Sequence, residues 1–149
     1  MSEISGRRTL HRLIYCSRQK IPPEGLGEAV AQIIRSSIVN NRAVSITGLL
    51  LVHEGFFVQA LEGPAEMVLT TYGRISNDPR HSDAKILHAG PATRREFADW
   101  NMCARRISPA DDAILGVLAE RGRFAPQTLS GTSALRLLTA VRDIQRRAA

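Results

Sequence analysis

Two apolar runs separated by a short turn constrain the fold of this chain more than any other feature. Ser45 to Val52 and Phe56 to Leu61 have the length and composition of buried strands, and His53-Glu54-Gly55 lies between them. A short glycine-containing segment between two such runs is typical of a β-hairpin. We therefore expect an antiparallel pair of strands near the middle of the chain.

The segments on either side of this hairpin predict two β-α-β units. Leu10 to Ser17 is a strand candidate, and Glu24 to Ser37 has apolar residues at helical spacing. Pro64, which suits the first turn of a helix, opens a second helix that runs to about Ser76. Further elements are expected as strands at Lys85 to Ala89 and Trp100 to Ile107, and as helices at Ala110 to Arg121 and Ser133 to Arg147. The order β-α-β-β-α-β-β predicts a ferredoxin-like α+β sheet with two helices on one face and a C-terminal helical cap.

One glutamine interrupts the apolar character of the second hairpin strand. Because side chains alternate between faces along a strand, Gln59 shares a face with Phe57 and Leu61. A buried amide without partners costs about 1–3 kcal/mol, and it brings both a donor and an acceptor. Gln59 therefore indicates that something inside this core needs a hydrogen-bonding group with two ends.

Length and composition exclude several classes of protein. The 149 residues suit one domain, and no apolar stretch approaches the length of about 20 residues that a membrane-spanning helix needs. The N-terminal segment lacks the apolar core of a signal peptide, so we expect a soluble, cytoplasmic protein without membrane attachment. The two cysteines, Cys16 and Cys103, show no metal-binding spacing, and no metal site is expected.

Nucleic-acid binding and hydrolysis fit the residues poorly. The order of elements matches an RNA-recognition module, and the net charge of +6 would suit nucleic acid. However, the third strand follows an acidic residue, Glu54, and aromatic residues make up only 5% of the chain, whereas base stacking needs exposed aromatics. No serine, histidine or acidic pair has an identifiable spacing for hydrolysis. We therefore expect neither nucleic-acid binding nor enzymatic activity.

A ligand held between the two predicted helices and the sheet is the remaining interpretation. Ile33 and Ile75, one on each helix, are branched aliphatics able to grip a flat ring, and Tyr15 and Gln59 would lie on neighbouring central strands. The groups suited to the polar edge and the phosphate tail of such a ligand are Asn40, Asn41, Arg74, Arg80 and His81. A helix-ending turn at the two asparagines and a surface patch of ion pairs are the alternatives.

Five segments, taken in order, resemble the BLUF family, the blue-light sensors that use flavin. The matching segments are Arg12 to Ser17, Asn40-Asn41 with Ile46 to Leu50, Phe57 to Gly63, Arg74 to His81 and Arg95 to Met102. The resemblance covers about residues 9 to 107, which we take as the sensor domain, and leaves 108–149 as a helical cap or output extension. It implies that FAD, FMN or riboflavin is bound without a covalent bond.

The resemblance also implies a role for each site residue. Ile33 and Ile75 would sandwich the flavin ring, Asn41 would bind its polar edge, and Asn40 would help from the ribityl side. Gln59 would bridge Tyr15 and the flavin N5/O4 edge. The residues near the ribityl and phosphate groups would be Arg74, Asp78, Arg80 and His81, and those on the strand that approaches or leaves the site would be Trp100 and Met102.

The function expected from this resemblance is blue-light reception without net chemistry on a substrate. Tyr15 would give an electron and a proton, Gln59 would rearrange, and the red-shifted state would signal through the fifth strand and the C-terminal helices to a downstream partner protein. Self-association through the sheet or the cap is also expected. A flavin reductase-like enzyme and an RNA-binding ferredoxin-like module are the alternatives.

Overall fold

A five-stranded sheet with helices on both faces organises the chain. The structure, a computed structural model, describes residues 10–21, 23–25, 28, 32, 45–98, 101–106 and 125–148, of which 101–106 and 144–148 are described by their backbone. The strands are β1 (Leu10–Gln19), β2 (Thr47–His53), β3 (Phe56–Pro64), β4 (His81–Pro91) and β5 (Asn101–Arg106). The helices described along their whole length are α1 (Ala65–Ser76) and α2 (Gly131–Ala148), and 3-10 turns lie at Pro23–Gly25 and Pro126–Thr128.

The strand order is β4-β1-β3-β2-β5. β1 is antiparallel to both β3 and β4, and β2 is antiparallel to β3. β5 extends the sheet by pairing parallel to β2. The first four strands thus have the ferredoxin-like arrangement, and the predicted α+β fold class is confirmed.

The predicted hairpin forms with a turn of two residues. β2 and β3 stay paired as far as His53 opposite Phe56, so Glu54 and Gly55 make the turn. Both residues have positive φ, 47° at Glu54 and 85° at Gly55. Two-residue turns of this kind match the right-handed twist of the strands, and glycine adopts such a φ without steric cost.

Alternate side chains of the central strands enter two separate apolar layers. Along β1, Ile14 and Cys16 pack in the layer under α2, whereas Leu13 and Tyr15 pack in the layer under α1. The fully buried side chains of α2 in its layer are Ala134, Leu138 and Val141. Full burial of one large aliphatic side chain contributes about 1.5–3 kcal/mol. The C-terminal helix predicted from Ser133 to Arg147 therefore covers the sheet face opposite α1.

The boundaries of β4 differ most from the prediction. The sequence predicted a strand from Lys85 to Ala89, whereas β4 begins at His81 and continues to Pro91. β4 is an edge strand, and its side chains from Asp83 to Ile86 are exposed. Because one side of this strand meets solvent, its apolar pattern is too weak to mark its ends, which are set by pairing with β1.

Two predicted helices fall largely or wholly outside the described residues. Of the helix predicted from Glu24 to Ser37, the described positions Glu28 and Gln32 are helical and exposed, whereas Glu24 and Gly25 belong to a 3-10 turn. The segment predicted from Ala110 to Arg121 lies outside the description entirely. None of the helices in the described part of the chain has both the length and the apolar character that a membrane span requires.

A buried carboxylate ties the end of β3 to the segment that precedes β5. Glu62 is fully buried and accepts a hydrogen bond from Arg12 Nε at 2.8 Å. It also accepts from the backbone N–H groups of Glu96 and Phe97, each at 2.9 Å. A charge can be buried only with such partners, so Glu62 fixes this segment against the sheet.

The same segment holds α2 in place. Arg142 of α2 donates from Nη1 to the Glu96 carbonyl oxygen at 2.7 Å and to Glu96 Oε1 at 3.0 Å. Its guanidinium carbon lies 5.9 Å from the centre of the Phe97 ring. The hydrogen bond from Arg142 lowers the pKa of Glu96. A continuous series of polar contacts therefore runs from Glu62 on β3 through Glu96 to α2.

Glu62→Leu is expected to lower the free energy of unfolding by about 3–5 kcal/mol, because the Arg12 charge and two backbone N–H groups lose a buried partner. Urea denaturation measures the change. Glu66→Leu, at an exposed position of α1, is the matched control and should change stability by no more than about 0.5 kcal/mol. An effect of Glu62→Leu as small as that of the control would show that the buried carboxylate does not stabilise the fold.

Candidate functional site

The centre of the site is a tyrosine–glutamine pair on adjacent central strands. Tyr15 of β1 lies directly opposite Gln59 of β3 in the antiparallel register. Both residues are buried, with 2% and 3% of their surface exposed. The Tyr15 hydroxyl donates a hydrogen bond to Gln59 Oε1. The structure thus contains the predicted contact, on the same face as Phe57 and Leu61.

The direction of this hydrogen bond assigns a role to each end of the amide. Since Oε1 accepts from Tyr15, the Nε2 end of Gln59 is its donor end. A carboxylate at this position would bring a charge into a buried site, and an aliphatic side chain would neither accept nor donate. An amide can accept from a phenol and donate to a second acceptor at the same time, which is the two-ended chemistry that the sequence indicated.

The surroundings of Tyr15 keep its phenol protonated. Burial is the main cause that raises the pKa of Tyr15 well above its ordinary value, and the nearby Tyr72 and Asp78 raise it further. The ring of Tyr72, on α1, lies 5.3 Å from that of Tyr15, centre to centre. A phenol that resists ionisation loses an electron readily only when its proton leaves as well. Oε1 of Gln59 is the atom placed to receive that proton.

His81 connects β1, β4 and the end of α1 beside this pair. Its Nδ1 lies 2.6 Å from Ser17 Oγ, and its Nε2 lies 2.6 Å from the carbonyl oxygen of Ile75. Because a carbonyl oxygen can only accept, Nε2 carries a proton; in the neutral ring, the Ser17 hydroxyl then donates to Nδ1. The centre of the imidazole lies 6.2 Å from that of the Tyr15 ring.

Charged residues follow α1 at the rim of the site. Arg80 donates from Nε to Asp78 Oδ1 at 2.9 Å and also from Nη2 to Oδ2. This hydrogen bonding lowers the pKa of Asp78 and raises the pKa of Arg80. Arg74 is exposed in the last turn of α1. The predicted rim residues therefore lie in one short stretch, between the last turn of α1 and the first residue of β4.

Among the predicted site residues, the structure brings together Tyr15, Gln59, Ile75 and His81. Ile75 is half-buried and packs against the apolar layer that contains Tyr15. Met102 lies on β5, which is separated from β3 by β2, and its side chain is outside the description. The other predicted site residues outside the described part of the chain are Ile33, Asn40, Asn41 and Trp100.

Sequence reasoning gave Tyr72 and Ser17 no role in the site, yet both contact its central residues. Tyr72 precedes Ile75 by three positions, so the two lie on one face of α1. Ser17 follows Tyr15 by two positions, so both side chains leave the same face of β1. Periodicity could therefore have placed both residues on the face of the site, although it could not have predicted the bond between Ser17 and His81.

The groups present fit a flat heterocycle with a polar edge. A buried amide and phenol would meet such an edge, half-buried aliphatic side chains such as Ile75 and Met67 suit its ring faces, and Arg74 and Arg80 suit an anionic tail. Flavins in the form of FAD have this combination of parts. Within the described residues, no group of three or more His, Cys, Asp or Glu side chains could hold a metal ion.

Comparison with known proteins gives one consistent result. The model of a family described as BLUF, sensors of blue-light using FAD, matches residues 10–103. Photoactivated adenylate cyclase subunit beta of Euglena gracilis is 36% identical over 93 residues, which make up 62% of this chain and 11% of that protein. The chain thus spans about a tenth of the length of the curated relatives that it matches.

Solved structures agree with the sequence comparison. The dark-state structure of BlrB, a BLUF protein, superposes with a TM-score of 0.73 at 30% identity, over 91% of this chain and 98% of that one. A bacterial light-regulated adenylyl cyclase superposes with a TM-score of 0.66 at 26% identity, over 87% of this chain and 40% of that one.

The raised pKa of Tyr15 predicts that the protein loses stability in alkali. Unfolded tyrosine ionises at about pH 10, whereas buried Tyr15 keeps its proton there. Above about pH 10 the unfolded chain therefore binds fewer protons than the folded one, and the free energy of unfolding falls by up to about 1.4 kcal/mol per pH unit for this group. Urea denaturation across that range measures the slope. Tyr15→Phe should make the slope shallower, and an unchanged slope would assign the effect to other groups.

Proposed function

Because the chain belongs to the BLUF family, the sensors of blue light that use FAD, we propose that Tyr15 and Gln59 form the photochemical centre of this blue-light photoreceptor. The family binds its flavin without a covalent bond. The single observation that carries the proposal is the buried hydrogen bond from the Tyr15 hydroxyl to Gln59 Oε1. The comparisons give no support to a reductase-like enzyme or an RNA-binding module.

The proposed flavin site lies between α1 and the helix predicted from Glu24 to Ser37. Ile75 would hold one face of the ring and Ile33 the other, while Asn41 and Asn40 would bind its polar edge and ribityl side. Arg74, Asp78, Arg80 and His81 would lie near the ribityl and phosphate groups. The support is that Ile75 shares a layer with Tyr15, and that the rim residues Arg74, Asp78, Arg80 and His81 lie within six positions of Ile75 in the chain. FMN and riboflavin would use the same ring contacts.

Excited flavin, when bound, supplies a strong one-electron oxidant. Tyr15 is the proposed electron donor, because its O–H already lies in a hydrogen bond along which the proton can leave. The electron would go to the excited flavin and the proton to Oε1 of Gln59, while Nε2 would release a proton toward the flavin edge, so that the amide stays neutral. Return of the electron and of one proton would restore the Tyr15 phenol. Gln59 then re-forms its hydrogen bonds with its two ends exchanged or in a tautomeric form. The changed donor pattern of Gln59 gives the red-shifted state.

We propose that the chain senses light and that another protein or segment produces the response. A BLUF domain is a sensor module. Two of the similar proteins are named as light-dependent cyclases, and the match with this chain covers 11% of one and 40% of the other. On this reading the chain has no enzymatic activity of its own and addresses a downstream signalling partner. The expected cytoplasmic location and self-association, and the division into a sensor domain (9–107) and a cap (108–149), remain predictions.

The proposed route of the signal crosses the sheet along β3. Gln59 faces the layer under α1, whereas Glu62, three positions later, leaves the opposite face of the strand. Glu62 binds the backbone of Glu96, and Glu96 binds Arg142 of α2. A change in β3 would thus reach both the segment that leads into β5 and the C-terminal helix. We propose that β5 and the C-terminal helices carry the signal outward.

Tyr15→Phe is expected to retain flavin but to lose the light-induced red shift, because phenylalanine has no hydroxyl proton to pass to Gln59. Absorption spectra of the FAD-loaded protein before and after blue light measure the red shift. Tyr72→Phe is the matched control: it removes the same atom from the neighbouring ring and should keep the shift. A full shift in Tyr15→Phe would remove Tyr15 from the mechanism.

Gln59→Leu tests the other half of the pair by the same spectra. It should bind flavin and show no red shift, since leucine cannot exchange hydrogen bonds. A normal shift in this variant would remove Gln59 from the mechanism. A wild-type protein that binds FAD and shows no spectral change in blue light would reject the proposed photochemistry as a whole.

Amide hydrogen exchange of α2 is expected to differ between dark and light. Arg142→Met should speed this exchange in the dark and reduce the effect of light, because it breaks the contacts between α2 and Glu96. Arg136→Met, on the exposed side of α2, is the matched control. It should change neither the exchange rate in the dark nor the effect of light on that rate. Equal protection of α2 in dark and light in the wild-type protein would contradict the proposed route.

A further inference from the structure

Both ring nitrogens of His81 are engaged by groups of the protein itself. His81 is only 7% exposed, and its Nδ1 and Nε2 meet the Ser17 hydroxyl and the Ile75 carbonyl oxygen. The Ile75 oxygen also accepts from the backbone N–H of Asp78 at 2.9 Å. An imidazole has two nitrogens, each of which makes one hydrogen bond here. This arrangement favours a role for His81 within the protein rather than a direct bond to a phosphate.

The surroundings of His81 place it against the ring of Tyr15. Ser17, which binds His81, leaves the same face of β1 as Tyr15 because the two are two positions apart. The imidazole meets the Tyr15 ring edge-on, at an interplanar angle of 63°. Tyr72 packs on that ring as well, with a tilt of 59°. Residues of β4 and α1 therefore both restrict the phenol that donates to Gln59.

We propose that His81 is a positioning residue, which fixes the Tyr15 phenol relative to α1. It joins the strand that carries Tyr15 to the turn of α1 that carries Ile75. Ile75 is the α1 residue assigned above to the flavin ring, so the inference rests on the proposed function. A displacement of about 1 Å can slow a reaction between positioned groups by about 100-fold. A rigid link between β1 and α1 would thus keep Tyr15, the proposed electron donor, at a constant distance from the flavin ring that Ile75 is proposed to hold.

The test uses two measurements on the full FAD-loaded chain. The chain has only two tyrosines, so isotope labelling of tyrosine gives NMR signals from Tyr15 and Tyr72 alone, and these report how fast each ring flips in the dark. The fluorescence lifetime of the bound FAD reports how fast the excited state is quenched. His81→Leu removes both hydrogen bonds, and Ser17→Ala removes one. His88→Leu, at a half-buried position of the same strand, is the matched control.

We expect His81→Leu to speed the flipping of the Tyr15 ring and to lengthen the FAD lifetime, each at least several-fold. Ser17→Ala should have a smaller effect in the same direction, and His88→Leu should have none. His81→Gln, which keeps a donor toward Ile75, should recover part of the wild-type behaviour.

Wild-type values of both measurements in His81→Leu would overturn the proposal, as would an equal change in His88→Leu. If His81→Leu does not bind FAD, the same two measurements are made on Ser17→Ala. Wild-type values of both in that variant would overturn the proposal. Tyr15→Phe separates the two hypotheses. A long FAD lifetime in Tyr15→Phe together with an unchanged His81→Leu rejects only the role of His81, whereas an unchanged lifetime in Tyr15→Phe rejects Tyr15 as the donor.

Discussion

The hydrogen bond between Tyr15 and Gln59 joins the two central strands of the sheet, and the surrounding structure keeps it in place. β4 and β2 flank these strands on either side, so neither strand is free to slide. A slip of one residue would turn either side chain to the opposite face of the sheet. Burial adds to this constraint, because an amide on an apolar face must keep a partner. The register of β1 and β3 is therefore as much a part of the site as the two side chains.

Odd-numbered and even-numbered residues of β3 point to opposite faces of the sheet, so this strand contributes side chains to both layers. Gln59 lies in the layer under α1, where light would be received, and Glu62 lies in the polar contacts that reach α2. Arg12 lies opposite Glu62 in the same register that places Tyr15 opposite Gln59. One pair of strands thus positions a neutral hydrogen-bonded pair on one face and a buried ion pair on the other. Any change in the geometry of β1 and β3 would therefore alter the contacts of both pairs, one on each face of the sheet.

The features that depend on local periodicity could be predicted from the sequence, and those that depend on register could not. The hairpin, α1 and α2 follow from apolar spacing and from the turn at Glu54-Gly55. The placement of Tyr15 and Gln59 on neighbouring strands followed from the ferredoxin-like order, whereas their contact was implied only by the resemblance to the BLUF family. The hydrogen bonds of His81 to Ser17 and Ile75 could not be predicted from the sequence. They depend on where an exposed edge strand begins and on irregular pairing between β1 and β4. The contacts of Glu62 with Glu96 likewise join segments distant in sequence, which no spacing rule connects.

The apolar layer between α2 and the sheet also contains a buried thiol. Cys16 neighbours Tyr15 in the chain but lies in the opposite layer, which it shares with Ala134, Leu138 and Val141 of α2. Burial raises the pKa of this thiol, and alkylating reagents attack only the thiolate. Because only 2% of Cys16 is exposed, a reagent in solution reaches it only when the packing of this layer opens. The rate at which Cys16 is alkylated would therefore report how often the layer under α2 opens, at a position one residue from Tyr15.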